Sequence, residues 1–255
     1  MTEPTKLTTI RYQQPLEHLA PAGRIGVISL ATDFNIEADL QQMYPRDVEF
    51  FTSRVKSVHP LTIKNLRTMA PNISAAADSI LPGTDLDAII YACTSGSIAI
   101  GIEKIKQLIH KTRPNNLVTN PVVAALLAFK LFKAKRLSIL TPYTKTVNRD
   151  VANFFSSKGY QVINIFGFGF ENDTAMTSIR PQDIKMAAIE NCSPNADLLF
   201  ISCTALRASV VLDEIEEYLS IPVVSSNQLL VWHSLKFANY PSPIYGFGSL
   251  LRDKL

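Results

Sequence analysis

The sequence predicts an α/β protein of two pseudo-symmetric halves, each a small parallel sheet flanked by helices, with the active site in the cleft between them. Three observations carry this. Apolar runs of four to six residues, ending in small or polar residues, are each followed by a stretch of helical periodicity, the pattern of parallel strands joined by crossover helices. The pattern is written twice, in one order and at nearly one spacing. And two of the three cysteines occupy the same place in both copies: Cys93 in "YACTSGS", after Leu86-Asp87-Ala88-Ile89-Ile90, and Cys203 in "FISCTALR", after Ala196-Asp197-Leu198-Leu199.

The elements follow in order. Arg24-Ile25-Gly26-Val27-Ile28 opens a strand that leads into "SLATDFNIEADLQQM", and Arg136-Leu137-Ser138-Ile139-Leu140, 112 residues on, opens one that leads into "TPYTKTVNRDVANFF". Second strands follow at Val48 to Phe51 and Val162 to Phe166, then helical stretches in "LTIKNLRTMAPNISAAADSIL" and "RPQDIKMAAIENC". The cysteine strands come next, 110 residues apart, and each copy closes with a short strand ending in Asn and a long helix, "NLVTNPVVAALLAFKLF" against "IPVVSSNQLLVWHSLKFA". The halves therefore span about 20 to 125, with Cys93, and about 126 to 240, with Cys203. In sheets of this kind ligands bind beyond the carboxyl ends of the strands, where both cysteines sit.

Bulk properties narrow the function. At 255 residues and 47% hydrophobic content the chain can bury a substantial core. The formal charge of +3 comes from 25 basic and 22 acidic residues spread along the chain, without a basic block, so no nucleic acid is expected. No apolar run approaches the roughly 18 residues that span a bilayer, and "MTEPTKLTT" lacks the apolar core of a signal peptide; we expect a cytoplasmic protein with no membrane contact. Three cysteines cannot pair fully, so Cys93 and Cys203 read as thiols. The histidines, His18, His59, His110 and His233, are scattered and no CxxC or HExxH spacing gathers ligands; no metal is expected. No GxGxxG or GxxxxGK[ST] stretch calls for a nucleotide, and no cofactor is expected.

After Cys93, Thr94-Ser95-Gly96-Ser97 has the small hydroxyl residues that start a helix, and "IAIGIEKIKQLI" has helical apolar spacing; Thr204 and "ALRASVVLDEIEEYL" read the same way. A helix start offers free N–H groups and partial positive charge, which bind a carboxylate and lower a neighbouring thiol's pKa. Two such units opposed would hold a small carboxylic acid with a sulfur on each face. A cysteine in an apolar strand is more often a small buried hydrophobe. Two at equivalent positions of a repeat weigh against that, whereas Cys192 in "IENCSPN" lacks the setting and reads as structural.

These residues resemble the aspartate/glutamate racemase superfamily, in its branch of maleate isomerases and arylmalonate decarboxylases. Within that branch "LATDFNIEAD", "VEFFTSRV", "YACTSGSIAIG", "LTPYTKTVN", "FGFENDTAM", "FISCTALRA" and "VVSSNQ" are most similar to the ectoine-utilisation A proteins. The resemblance implies cofactor-independent chemistry next to a carboxylate, with Cys93 and Cys203 catalytic. In such racemases one cysteine removes the α-proton and the other returns one from the opposite face. In the maleate isomerases the first adds to the double bond, the single bond rotates, and the second manages the proton. Decarboxylases of the branch keep only the second cysteine, so the presence of both here argues against plain decarboxylation.

The resemblance also implies binding residues: Tyr143, which otherwise reads as packing at a strand end, and Asn172 of "FEND", a helix cap on the alternative reading, with Asp173 one register away. Maleate isomerases have an Asn in the loop after the first strand where this chain has Thr32 and Asp33, which would repel a second carboxylate or receive an amino group. Arg54 and Arg207 are candidates to pair with a substrate carboxylate, Arg207 one helical turn from Cys203; both otherwise read as solvated. Asn120 and Asn227 line the cleft or cap the following helices. Thr94, Ser95, Gly96 and Thr204 complete the candidate set. His59, His110 and His233 read as surface or packing residues. The expected partners are a small carboxylate substrate, such as a diaminobutyrate-type compound of ectoine breakdown, and further copies of the chain in a homo-oligomer. The competing reading is a non-catalytic small-acid sensor, which has no need of two thiols.

Overall fold

The computed structural model describes residues 4–17 and 19–255, so Met1 to Glu3, within the stretch read for a signal peptide, and His18 lie outside it. The first half runs β1 (Gly23–Leu30), α1 (Ile36–Met43), β2 (Val48–Val55), α2 (Ile63–Arg67), α3 (Ile73–Ser79), β3 (Ala88–Ala92), α4 (Thr94–Ile100), α5 (Ile102–His110), β4 (Leu117–Thr119) and α6 (Pro121–Leu131). The second runs β5 (Arg136–Tyr143), α7 (Lys145–Ser157), β6 (Gln161–Phe170), α8 (Asp173–Thr177), α9 (Pro181–Asn191), β7 (Leu198–Ile201), α10 (Leu212–Leu219), β8 (Val223–Ser225), α11 (Ser226–Phe237) and α12 (Ser249–Asp253). Helix α6 runs through position 125, where the repeat divides the chain.

Each half forms one four-stranded parallel sheet, in the orders β2-β1-β3-β4 and β6-β5-β7-β8, so the repeat seen in the sequence is a repeat of topology. In register, Ile28 of β1 stands beside Tyr91 of β3, and Leu140 of β5 beside Ile201 of β7. The inner strands β1, β3, β5 and β7 are apolar almost throughout because helices cover both faces, which is why they read as continuous runs. The edge strands β2 and β6 are wetter and longer than their apolar runs suggested, since they continue past the buried segment. One buried cluster runs through both sheets, from Ile25 and Ile90 to Leu140 and Phe200.

Local chemistry breaks three stretches that read as single helices. "LTIKNLRTMAPNISAAADSIL" divides into α2, a 3-10 turn over Ala70–Asn72 and α3, because Pro71 has no N–H to continue the ladder. "IAIGIEKIKQLI" divides between α4 and α5 at Gly101, whose φ of +97° no side-chain-bearing residue adopts easily. The third break follows Cys203 and shapes the site.

Candidate active site

The carboxyl ends of β1, β3, β5, β6 and β7 converge on one place, and each delivers a candidate residue there. Cys93 ends β3 and serves as N-cap of α4: its sulfur accepts the Gly96 N–H at 3.2 Å, with the Ser95 hydroxyl 3.8 Å away. Only glycine fits at 96, since a Cβ would stand 2.8 Å from the Tyr91 hydroxyl and 2.9 Å from the Cys93 sulfur. The carbonyl of Cys93 is taken by both the N–H and the hydroxyl of Ser97, at 3.0 and 2.6 Å.

No helix starts at Cys203. The chain turns through Thr204 to Ala208 and reaches a 3-10 turn over Ser209–Val211 before α10 begins. The reason is tertiary. Carbonyls that a helix would use are taken by side chains: Asn35 Nδ2 donates to the carbonyls of Thr204 and Leu206 (3.0 and 3.2 Å), and Asn227 Nδ2 donates to that of Thr204 (2.9 Å). Arg207 is therefore not one helical turn from the thiol. It is half-buried, donating to the Ile179 carbonyl at 3.1 Å.

Other residues join the two corners. Ser226, at the start of α11, pairs with the Thr94 hydroxyl (2.8 Å) and accepts the Cys203 N–H (3.0 Å), touching the neighbourhood of both cysteines. Tyr143, 2% exposed, sets its phenol against the Cys203 thiol and Ser95; burial holds the phenol protonated well above its usual range, and a thiolate at either cysteine would raise it further. Thr204 donates to Asp33 at 2.7 Å across the halves. Thr32 donates to Asp173 across the same gap and pairs with Ser57 at 2.8 Å.

Asp33 is a strut and a cap rather than an open acceptor: its Oδ1 takes the N–H groups of Asn35 and Ile36, at 2.8 and 3.0 Å, and its Oδ2 takes Thr204. Asp173, not Asn172, faces inward. Asn172 is exposed and caps α8 by accepting the Ala175 N–H at 2.9 Å, while Asp173 is buried. Arg54 is not aimed at the site either; it pairs with Glu37 and donates to the carbonyls of Leu30, Ala31 and Asp33, bracing the loop after β1. Asn120 caps α6, whereas Asn227 lies inside α11 and ties Asp39 to Thr204, so the two Asn are not equivalent.

The electrostatics reverse one expectation. Burial pushes the Cys93 thiol up to about 12 despite the Gly96 N–H, with Asp173 and Asp33 adding to the rise, and raises Cys203 as well despite Tyr143. Both thiols are neutral in this state. Burial likewise raises Asp173, against the pull of Thr32. The cysteines are 4% and 7% exposed, nearly enclosed, and a cavity of about 440 Å³ lined by Leu61, Ile63, Thr144, Val147 and Glu171, at the start of α7, includes neither cysteine in its lining. The described residues hold no group of three or more His, Cys, Asp or Glu placed to bind a metal, and no helix among them is long and apolar enough to cross a membrane.

A family model described as arylmalonate decarboxylase matches residues 25–251. The chain belongs to that family. Within it, the maleate isomerase of Geobacillus stearothermophilus is 22% identical over 91% of this chain and 98% of its own length. The arylmalonate decarboxylase of Bordetella bronchiseptica is 25% identical over 47% of this chain and 51% of its own length. Among solved structures, a mutant of the Nocardia farcinica maleate cis-trans isomerase with a covalently bound succinylcysteine intermediate superposes with a TM-score of 0.83 at 18% identity, covering 91% of this chain and 99% of that one. An arylmalonate decarboxylase structure gives 0.73 at 19% identity, over 89% and 98%. The family fold and the two-sheet architecture therefore agree over nearly the whole chain.

The sequence pointed to both cysteines, Tyr143, Ser95, Gly96 and the loop after β1. It missed Ser226, Asn35 and Asp39. Ser226 was visible only as part of "VVSSNQ", Asn227 was read as lining the cleft or capping the following helix, and nothing local marks Asn35 or Asp39 as partners of the second half.

Proposed function

We propose that this protein is a cofactor-independent isomerase that shifts a proton on a small carboxylic acid held between Cys93 and Cys203, as a racemase or epimerase does. The observation that carries it is the chain Cys93–Ser95–Tyr143–Cys203, which sets both thiols and a neutral phenol around one enclosed point. In the reaction one thiol first gives its proton to solvent; that sulfur, as thiolate, takes the α-proton, and the other thiol gives its proton to the opposite face, so the two sulfurs exchange protonation states and the count of protons across the transfer is unchanged. The burial that keeps the thiols neutral at rest makes the thiolate a strong base once formed, which abstraction beside a carboxylate requires. Tyr143 and Ser95 supply hydrogen bonds to the substrate carboxylate and to the enediolate that follows.

The finer assignment is to an amino-bearing acid of the diaminobutyrate type, in ectoine breakdown. It is supported by the motif resemblance and by the negative charge of Asp33 and Asp173 around the thiols, which disfavours a dianion such as maleate and favours a substrate with a cationic group. A second reading is cis-trans isomerisation through a Cys93 adduct, favoured by the similarity to maleate isomerases over about nine-tenths of the chain.

Both readings are tested with a panel of small acids, including diaminobutyrate and maleate, in deuterated water. Racemisation places deuterium at the α-carbon; Cys93→Ser and Cys203→Ser each cut turnover by ~10³ or more, while one of them still exchanges the proton of a single enantiomer. A Cys203→Ser protein that accumulates a mass increase equal to the substrate on Cys93 overturns proton transfer in favour of addition. Binding without exchange or turnover leaves a sensor.

A further inference from the structure

Asp39 lies on α1 of the first half, 2% exposed, and its carboxylate meets the second half. Its Oδ2 accepts the Asn227 amide at 2.8 Å, and the same nitrogen reaches the Thr204 carbonyl at 2.9 Å. Asn227 Oδ1 is buried without a hydrogen-bond partner, so the amide is oriented wholly by the two acceptors at its nitrogen, one of them the carboxylate. The Thr204 carbonyl belongs to the turn that replaces a helix after Cys203. Nothing in the proposed proton transfer uses Asp39.

We infer that Asp39 is a positioning residue for Cys203: through Asn227 it holds the Cys203 turn while it is ionised, and lets go when it is protonated. An ionised carboxylate can only accept, which forces Asn227 to present its nitrogen and so to reach Thr204 as well. A protonated Asp39 keeps an acceptor and gains one O–H, and with the proton on Oδ2, the oxygen that faces Asn227, that contact turns from acceptor to donor. Asn227 Oδ1, now without a partner, becomes the better acceptor, and the amide that turns to meet it carries its nitrogen away from Thr204. Burial raises Asp39 to about 6, against the pull of Asn227, so the exchange falls near that pH. Asp33, before the same helix, is the charged neighbour that bears on it; the side chains against the carboxyl from elsewhere, Asn227 of α11 and Ser209 of the turn before α10, are neutral, as is Asn35. With its carbonyl held by Asn35 alone, the turn opens more often and exposes the thiol.

This role matters only if Cys203 works in the site, but its test needs neither substrate nor turnover, so it can fail while the isomerase reading stands, and the reverse. The full chain is labelled with a pyridyl disulfide at about pH 5 to 8, and the ratio of Cys203 to Cys93 modification is read by peptide mass spectrometry; the ratio cancels the common dependence on thiolate fraction. We expect it to rise about fivefold as pH falls through about 6, the loss of one hydrogen bond. Asp39→Asn holds the raised ratio at every pH, Asp39→Glu restores the step, and Asn227→Ala abolishes it. A ratio flat with pH in the unmodified protein, or a step that survives Asp39→Asn, overturns the assignment. Should Asp39→Asn fail to fold, the unmodified protein and Asn227→Ala decide in the same way.

Discussion

The two cysteine corners occupy the same place in the same topology and are built by different means. Cys93 is held by its own helix: Gly96 and Ser97, the next turn of chain, bond its sulfur and its carbonyl. Cys203 has a looser local hold, the Ala205 N–H toward its sulfur and the Leu206 N–H at 3.4 Å from its carbonyl, and side chains from elsewhere add to it, with Asn35 crossing from the other half and Asn227 and Ser226 coming from α11. Duplication fixes where a residue stands and leaves open what steadies it. A thiol steadied locally is rigid on its own account; a thiol steadied remotely reports the state of the interface between the halves.

The largest effect that tests this contrast is at Gly96. Replacement by Ala puts a methyl within 3 Å of the Cys93 sulfur and the Tyr91 hydroxyl, both buried, so the sulfur must shift. A displacement near 1 Å at a reacting group costs on the order of 10²-fold in rate. Gly96→Ala should therefore lose about that much turnover although alanine favours helix by about 1 kcal/mol. The third residue after Cys203 is Leu206, fully buried with its side chain accommodated, so no such steric requirement governs that corner. Undiminished turnover in Gly96→Ala would show that the first corner is as adaptable as the second.

The next effect belongs to the interface itself, where two titrating groups, one from each half, shift in opposite directions. His233 of α11 bonds Thr119 of β4 at 2.7 Å, and Asp39 of α1 bonds Asn227 of α11. Burial, with Lys236, lowers His233 to about 4, while burial raises Asp39 to about 6. The signs oppose. Below pH 6.5 the unfolded histidine binds a proton that the folded one refuses until about 4, so His233 makes stability fall as pH falls through that window. Folded Asp39 binds its proton near 6 and unfolded Asp39 only near 3.8, so it makes stability rise as pH falls between them. Each is worth about 3 kcal/mol, and they nearly cancel. Urea unfolding of the unmodified protein should change little on their account between about pH 6.5 and 4. His233→Gln should unmask a gain in stability toward acid, and Asp39→Asn a loss. Equal slopes in the two variants would mean that the interface does not carry the two groups as described.

The parts of this molecule legible in its sequence are those with a local signature. Inner strands such as Ile25–Leu30 and Leu198–Ile201 are buried on both faces and so read as unbroken apolar runs. The repeat then fixed their order, and the paired cysteines marked the ends that matter. What could not be read depends on chain segments far apart. "ALRASVV" has helical spacing, yet Asn35, some 170 residues away, takes its carbonyls and prevents the helix. Asp39 shows only as a polar residue of α1 because its partner is on α11. Arg54 and Asn172 have the chemistry to bind a carboxylate, and both are spent nearby, on Glu37 and on the Ala175 N–H.

The smallest effect is the most direct comparison of the corners, since it removes one side chain from each. Asn35→Ala removes two hydrogen bonds that cross between the halves and should cost about 2 kcal/mol, roughly 1 for each, although Asn227 still donates to the Thr204 carbonyl and the Ala208 N–H to that of Leu206. Ser97→Ala removes the hydroxyl from the Cys93 carbonyl, but the Ser97 N–H still donates there at 3.0 Å, so the acceptor stays satisfied and the cost should be about 0.5 kcal/mol. Labelling separates them further. Asn35→Ala should speed modification of Cys203 severalfold and leave Cys93 unchanged, whereas Ser97→Ala should alter neither by much. If the two substitutions cost the same, or if Asn35→Ala exposes both thiols equally, the second corner does not depend on the other half, and the difference between the two copies is one of shape rather than of support.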